Sequence, residues 1–167
     1  MKKTLAAIAV TALALNAPAA HAQDPGPFAQ GRTHFVASGG VGTAYRQSYL
    51  VLGVGLSYYL ADGLSAGVSL ESWSASNPGM YKVTPELRYV FYKTPLKPYV
   101  GAFYRRTYVE NLPDINSTGA RAGVLFTASR NAYVGVGFVY ESYIDCRASV
   151  YRDCSSTYPE MSFTIAF

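Results

Sequence analysis

The chain has 167 residues, a formal charge of +4, fifteen Tyr, fifteen Gly, eight Phe and two Cys. So modest a charge points to neither nucleic acid nor an acidic partner. No segment is apolar over the roughly 20 residues that a membrane helix needs, so a chain of this length and composition reads as one sheet-built domain.

The amino terminus carries the three parts of an export signal in order. Lys2 and Lys3 supply the positive end, and Leu5 to Leu15 is an eleven-residue apolar run. Pro18 and the small-residue triplet Ala20-His21-Ala22 suit a peptidase cut before Gln23. No cysteine follows the apolar run, which argues against a lipid-modified amino terminus. The expected organisation is a signal peptide over 1–22, a short periplasmic lead-in over 23–32 containing Pro25-Gly26-Pro27, and one domain over 33–167. The exported part has 145 residues and a net charge of +2.

From Thr33 onward, period-two alternation marks eight strands separated by turn signals. The first, from about Thr33 to Gly42, contains Gly39-Gly40 and is read with Phe35, Ala37 and Val41 outward. The second, Tyr49 to Leu60, sets Leu50, Leu52, Val54, Leu56, Tyr58 and Leu60 against Val51, Gly53, Gly55, Ser57 and Tyr59. After the tight turn at Asp62-Gly63, the third opposes Leu64, Ala66, Val68 and Leu70 to Ser65, Gly67, Ser69 and Glu71.

The fourth strand sets Tyr81, Val83, Pro85, Leu87, Tyr89 and Phe91 against Lys82, Thr84, Glu86 and Arg88. Pro85 cannot donate a ladder hydrogen bond, so a bulge or one missing bond is expected there. Both parities of the fifth, from about Pro98 to Glu110, contain aromatic residues and arginine. The facing adopted puts Val100, Ala102 and Tyr104 outward and Arg105 inward, because an arginine among lipid tails costs about 2–4 kcal/mol near the midplane.

The sixth strand sends Ala120, Ala122, Val124 and Phe126 outward and Arg121, Gly123 and Thr127 inward. The seventh sets Val134, Val136, Phe138 and Tyr140 against Tyr133, Gly135, Gly137 and Glu141. The eighth sets Met161, Phe163, Ile165 and Phe167 against Glu160, Ser162, Thr164 and Ala166. In a water-soluble barrel the outer face would be polar; here the continuous face is apolar and the charges lie opposite it. The fold class is therefore all-β, an eight-stranded antiparallel up-and-down transmembrane β-barrel.

Short connections near Ala61–Gly63, Lys93–Lys97 and Ser129–Asn131 lie on the side of both chain ends and suit the periplasm. The links at Ala44–Ser48, Ser74–Gly79, Asn111–Ser117 and Ser142–Thr157 then face outside. Tyr58, Tyr89, Phe91 and Phe167 fall near the inner rim, and Tyr81, Tyr104 and Tyr140 near the outer one, as in interfacial aromatic girdles.

This facing places Glu71, Glu86, Glu141 and Glu160 inside with Lys82, Arg88, Arg105 and Arg121, an electrically balanced interior. Charges in a narrow lumen must pair or stay hydrated, and an eight-stranded barrel is just wide enough for its side chains to fill. A structural ion-pair plug is the main reading, with a narrow pore or gated ion pathway as the alternative. Most charges fall in the outer half of their strands, which leaves an inner half lined with Gly, Ser, Thr and Tyr and permits a water-filled lower chamber.

Cys146 and Cys154 share the longest external link and an oxidising compartment, so a single disulfide clip is expected. Even-numbered residues face outward in the seventh strand and inward in the eighth, so the pair needs an irregular segment around it. Tyr143, Tyr151 and Tyr158, with Arg147 and Arg152, are the candidates for contact with an external partner, since aromatic and Arg residues are enriched at binding hot spots. Asn116-Ser117-Thr118 is read as a polar turn.

A lipid A-modifying enzyme is the rival class, and such chemistry needs an activated serine and a base. His34 is the one histidine outside the signal, and it sits at the periplasmic end of the first strand. Ser72 or Ser74 beside Glu71 is the remaining candidate. No metal-ligand cluster, phosphate-binding glycine loop or redox motif appears, so no catalytic residue or cofactor is assigned.

The export signal, the eightfold alternation and the closing strand ending on Phe167 resemble the small outer-membrane β-barrels similar to OmpX and the OmpA membrane domain. The resemblance implies residence in a Gram-negative outer membrane among lipid and lipopolysaccharide, as a monomer. It also implies that insertion machinery reads the closing strand through Phe163, Ile165 and Phe167. Members of that group are structural, adhesive or host-interaction proteins, so architecture and location are implied more than activity.

Overall fold

The computed structural model describes residues 26–44, 47–74, 79–111, 113–144, 146 and 154–167. The expected signal over 1–22, and Arg147, Tyr151 and Arg152, lie outside the described residues. Eight strands follow in chain order: β1 (Thr33–Ala44), β2 (Gln47–Ala61), β3 (Leu64–Ser74), β4 (Met80–Val90), β5 (Lys97–Val109), β6 (Ile115–Ser129), β7 (Ala132–Tyr143) and β8 (Ser155–Ala166). Each pairs antiparallel with its sequence neighbours, and β1 pairs with β8 to close the barrel.

Alternation drives this closure. Side chains of successive strand residues point to opposite faces, and the outward set is apolar all round, with Leu52 58%, Phe138 67% and Met161 59% exposed. Residues paired across strands share a face, so one facing propagates through every register: Phe35 opposite Leu56, Leu56 opposite Val68, Ala66 opposite Leu87. In β5, Val100, Ala102 and Tyr104 are exposed while Arg105 is fully buried. Of the two facings open for that strand, the one with Arg105 inside holds.

The lower end of the barrel is the one where β1 begins and β8 ends, joined by hydrogen bonds exchanged between Thr33 and Phe167 at 3.4 and 2.9 Å. The short turns gather here. Gly63, with φ of 79°, takes a left-handed conformation, and a Cβ there would come within 2.7 Å of the Val90 carbonyl, so glycine is required. At the other end the strands outrun expectation: Ser142 pairs with Ser155 and Thr107 with Ile115.

Two prolines leave their mark on the ladders, one as a gap and one where a seam ends. On β4, pairing to β5 stops after Val83↔Arg106 and resumes at Glu86↔Phe103 in the same register. Pro85 therefore costs ladder pairing rather than adding a bulge, and the facing of Glu86 and Arg88 is preserved. On the closing seam, pairing runs from His34↔Ala166 to Gly39↔Met161 and then ends. Counting in twos from the hydrogen-bonded Thr33–Phe167 pair, the next such pair would set Val41 against Pro159, which has no amide hydrogen to give.

Cys146 and Cys154 are bonded, with Cα atoms 5.5 Å apart. Both lie beyond the paired ends of β7 and β8, and the Tyr143 amide donates to the Cys154 carbonyl at 3.0 Å. The clip sits past the last rung, outside any regular ladder.

Candidate functional site in the barrel interior

The inward faces stack in three layers. At the top, Tyr49, Trp73, Met80 and Val109 form an apolar cluster, flanked by Val51, Ile115 and Tyr158. At the bottom, Phe28, Tyr59, Val90, Tyr99, Leu125 and Tyr133 form a second. The charges lie between. The lowest layer is thus filled by aromatic and apolar side chains, where the Gly, Ser, Thr and Tyr lining permits an open chamber. Glycine makes this filling possible: a Cβ at Gly123 or Gly137 would come within 2.7 or 2.6 Å of the Tyr99 hydroxyl, so Tyr99 lies across the pair.

The eight inward charges sort into two quartets of two acids and two bases. Arg105 is the centre of the upper one. Its guanidinium donates to Glu71 Oε1 at 2.8 Å, Glu141 Oε2 at 2.9 Å and Thr84 Oγ1 at 2.9 Å, and also to the Tyr158 hydroxyl. Ser117 donates to the other Glu141 oxygen, and Trp73 Nε1 to Glu71 Oε2 at 3.2 Å. Lys82 completes the set, 3.9 Å from Glu141 and 3.5 Å above the centre of the Trp73 ring. A planar fork with fixed donors suits this many acceptors as a lysine ammonium would not.

In the lower quartet, Arg88 meets Glu86 at 2.8 Å, and Arg121 meets Glu86 at 3.2 Å and Glu160 at 3.1 Å. Phe103 separates the two sets, with the Arg105 and Arg121 guanidinium carbons 4.8 and 5.2 Å from its ring centre. Arg88 rests 5.0 Å from the centre of Tyr99, tying the lower quartet to the bottom cluster. This quartet is less fully bonded: among the described residues Arg88 Nε and Arg121 Nη2 have no hydrogen-bond partner, and Arg121 Nε and Glu86 Oε2 meet as an ion pair without hydrogen-bond geometry. A small gap beside them is lined by Ser38, Ser57, Ser69 and Glu160, a polar setting of the kind that ordered water occupies.

All eight charges identified from alternation face this interior. Glu71, Lys82, Arg88, Arg105, Arg121 and Glu141 are buried, while Glu86 and Glu160 are half-buried. What alternation does not reveal is the pairing, nor the parts of Trp73, Phe103, Thr84 and Ser117. Tyr158 is a correction. Grouped by sequence with the external contact residues, it stands instead inside β8, bonded to Arg105 and 3.3 Å from Glu141. Its even position in that strand is the signal that could have placed it. Of the remaining contact candidates, Tyr143 ends β7 half-buried.

The serine candidates for catalysis separate from their base. Ser72 pairs with Leu52 and Tyr81 on the outward parity, whereas Glu71 points inward and is held by Arg105 and Trp73. His34 bonds through Nε2 to the Pro27 carbonyl at 2.7 Å, at the opposite end of the barrel.

No family model matches the chain, and no curated protein matches it in sequence. Among solved structures it is similar to the N-terminal β-barrel domain of Pseudomonas aeruginosa OprF, with 15% identity, 83% of this chain and 98% of that chain covered, and a TM-score of 0.67. It is similar also to Neisserial surface protein A, with 16% identity, coverage of 81% and 94%, and a TM-score of 0.56. The chain has the fold of the small outer-membrane β-barrels. At such low identity it is the backbone that the barrels share. The apolar belt supplies the membrane-facing surface, since an exposed apolar zone running round a closed sheet is stable only against lipid.

Proposed function

We propose that this chain is an integral outer-membrane barrel with a sealed, ion-paired lumen, acting as a structural or surface-interaction protein. The observation that carries this reading is the division of the interior charge into two neutral quartets. A conducting lumen needs fixed charges that ions can visit and leave; here each charge is engaged by another, with apolar clusters above and below. In this reading residues 1–22 direct export, the lower rim faces the periplasm, and Phe163, Ile165 and Phe167 serve insertion. The disulfide end, with Tyr143, Arg147, Tyr151 and Arg152, faces outward among lipopolysaccharide and is available to a surface partner.

Planar-bilayer recording of the purified barrel tests the seal. The expected outcome is no steady ion current. A steady current that changes with Glu86→Gln or Arg88→Met would overturn the sealed reading in favour of a narrow pore through the less fully bonded lower quartet.

A further inference from the structure

The segment before β1 is more than a lead-in. Phe28 is 2% exposed, with its ring centre 4.9 Å from that of Tyr133, 5.4 Å from His34 and 5.9 Å from Tyr59. Backbone bonds fasten the segment around it. Gly63 N donates to the Phe28 carbonyl, Gly31 N to the Tyr59 carbonyl and Tyr59 N to the Arg32 carbonyl, each at 2.9 Å. Gln30 N donates to Asp62 Oδ1 at 2.9 Å, and His34 to the Pro27 carbonyl at 2.7 Å.

The socket that receives Phe28 is built by the barrel itself. Tyr59, Val90, Tyr99, Leu125 and Tyr133 come from β2, β4, β5, β6 and β7, and the eight strands close on one another without any residue of 26–32. The segment contributes one large apolar side chain and a handful of hydrogen bonds at a rim, whereas each strand is paired along its length with a neighbour on both sides, over six residue pairs even at the short closing seam. Elements attached by few contacts at a surface open at a small fraction of the global unfolding free energy. Directly above the socket, Tyr99 carries Arg88, and so the state of the mouth bears on the lower quartet.

We infer that Gly26–Arg32 is a displaceable cork, an intramolecular ligand whose Phe28 fills a preformed aromatic socket and keeps bulk water from the lower charge quartet. The inference rests on the sealed-barrel reading above and deepens it by naming what closes one mouth. Water admitted there would raise the local dielectric around Glu86, Arg88, Arg121 and Glu160 and weaken their pairing. The socket's chemistry defines what else it accepts: an extended peptide with one aromatic side chain and carbonyls placed to take bonds from Gly63 and His34.

A thiol placed in the lower layer reports on the cork. Thr164 is 2% exposed and pairs with Tyr133, and Cys146 and Cys154 are already bonded to each other. In the mature barrel carrying Thr164→Cys, an impermeant maleimide should react slowly. Adding Phe28→Ala, or separately deleting residues 23–31, should speed labelling about tenfold or more, as access no longer waits on local opening of the cork. A synthetic peptide covering residues 24–32 should restore protection to the deleted form, and the same peptide with Phe28→Ala should not. Circular dichroism and gel mobility of unboiled samples establish that each variant is a folded barrel.

Equal labelling of folded barrels with and without the cork would overturn the inference, since the lumen would then be sealed by the quartets alone. Fast labelling of the intact barrel would overturn it too. A steady current through the intact barrel in planar bilayers is the separate result that sinks the sealed-barrel reading.

Discussion

Arg105 shows how one residue can depend on the whole barrel. It is fully buried and its donors reach β3, β4, β7 and β8 through Glu71, Thr84, Glu141 and Tyr158. Removing one partner of a buried pair leaves uncompensated charge and costs about 3–5 kcal/mol. Arg105→Met should therefore destabilise the barrel by about that amount in denaturant unfolding from detergent or vesicles. Adding Glu71→Gln should recover much of the loss, because it removes the stranded carboxylate and leaves Glu141 paired with Lys82. Arg105→Lys should recover only part, having no planar fork to meet four acceptors. Arg106, one position along, faces out and bonds Asp114 at 2.9 Å; Arg106→Ala should unfold like the parent, and a large loss there would contradict the facing of β5.

Among the strands, two prolines show how far alternation tolerates a missing donor. Pro85 and Pro159 sit where a donor is owed to a neighbouring strand, and each leaves a gap in pairing while the alternation continues past it. The consequence differs, because Pro85 interrupts an otherwise complete β4–β5 ladder and Pro159 stands where the closing seam ends. Pro159→Val returns the missing amide. It should extend β1–β8 pairing to Val41, seen as slow hydrogen exchange of the new amide at position 159 and a stability gain of about 0.5–1.5 kcal/mol. Fast exchange at that amide would show that the upper seam is held apart by something other than the missing donor. Parity alone makes the outward faces of β2, β3, β4, β6, β7 and β8 legible in the sequence. For β5 parity is silent, since both faces carry aromatics and arginine, and it is the energetic cost of a lipid-exposed Arg105 that selects the facing observed.

The whole barrel is a closed wall with an apolar exterior and an interior layered as cluster, charge, cluster. Neither quartet is contiguous in sequence: the upper one draws on β3, β4, β5 and β7, and the lower on β4, β6 and β8. Catalysis on a lipid in the outer leaflet would need a nucleophile and base on one face near the rim, and the Glu71 carboxylate is turned away from Ser72 and Ser74. Lipid A from cells with and without the protein should therefore give the same acyl-chain masses. A reproducible difference in those spectra would replace the scaffold reading with an enzymatic one.

The order of residues along the chain is enough to set the strands, their facing and the inventory of inward charge, because a period of two is local and a membrane barrel permits only one sign of the pattern. Composition and alternation pick out Glu71, Lys82, Glu86, Arg88, Arg105, Arg121, Glu141 and Glu160. Which of them meet is a property of the closed barrel, because a partner across the lumen is set by shear, strand tilt and the space left by glycines such as Gly123 and Gly137, none of which has a local signature. The same holds for Phe28 and Tyr158. One lies in a segment that reads as a short periplasmic lead-in and the other beside a loop, and each is drawn into the interior because the closed wall offers a socket or a bonding partner that exists only once all eight strands have met.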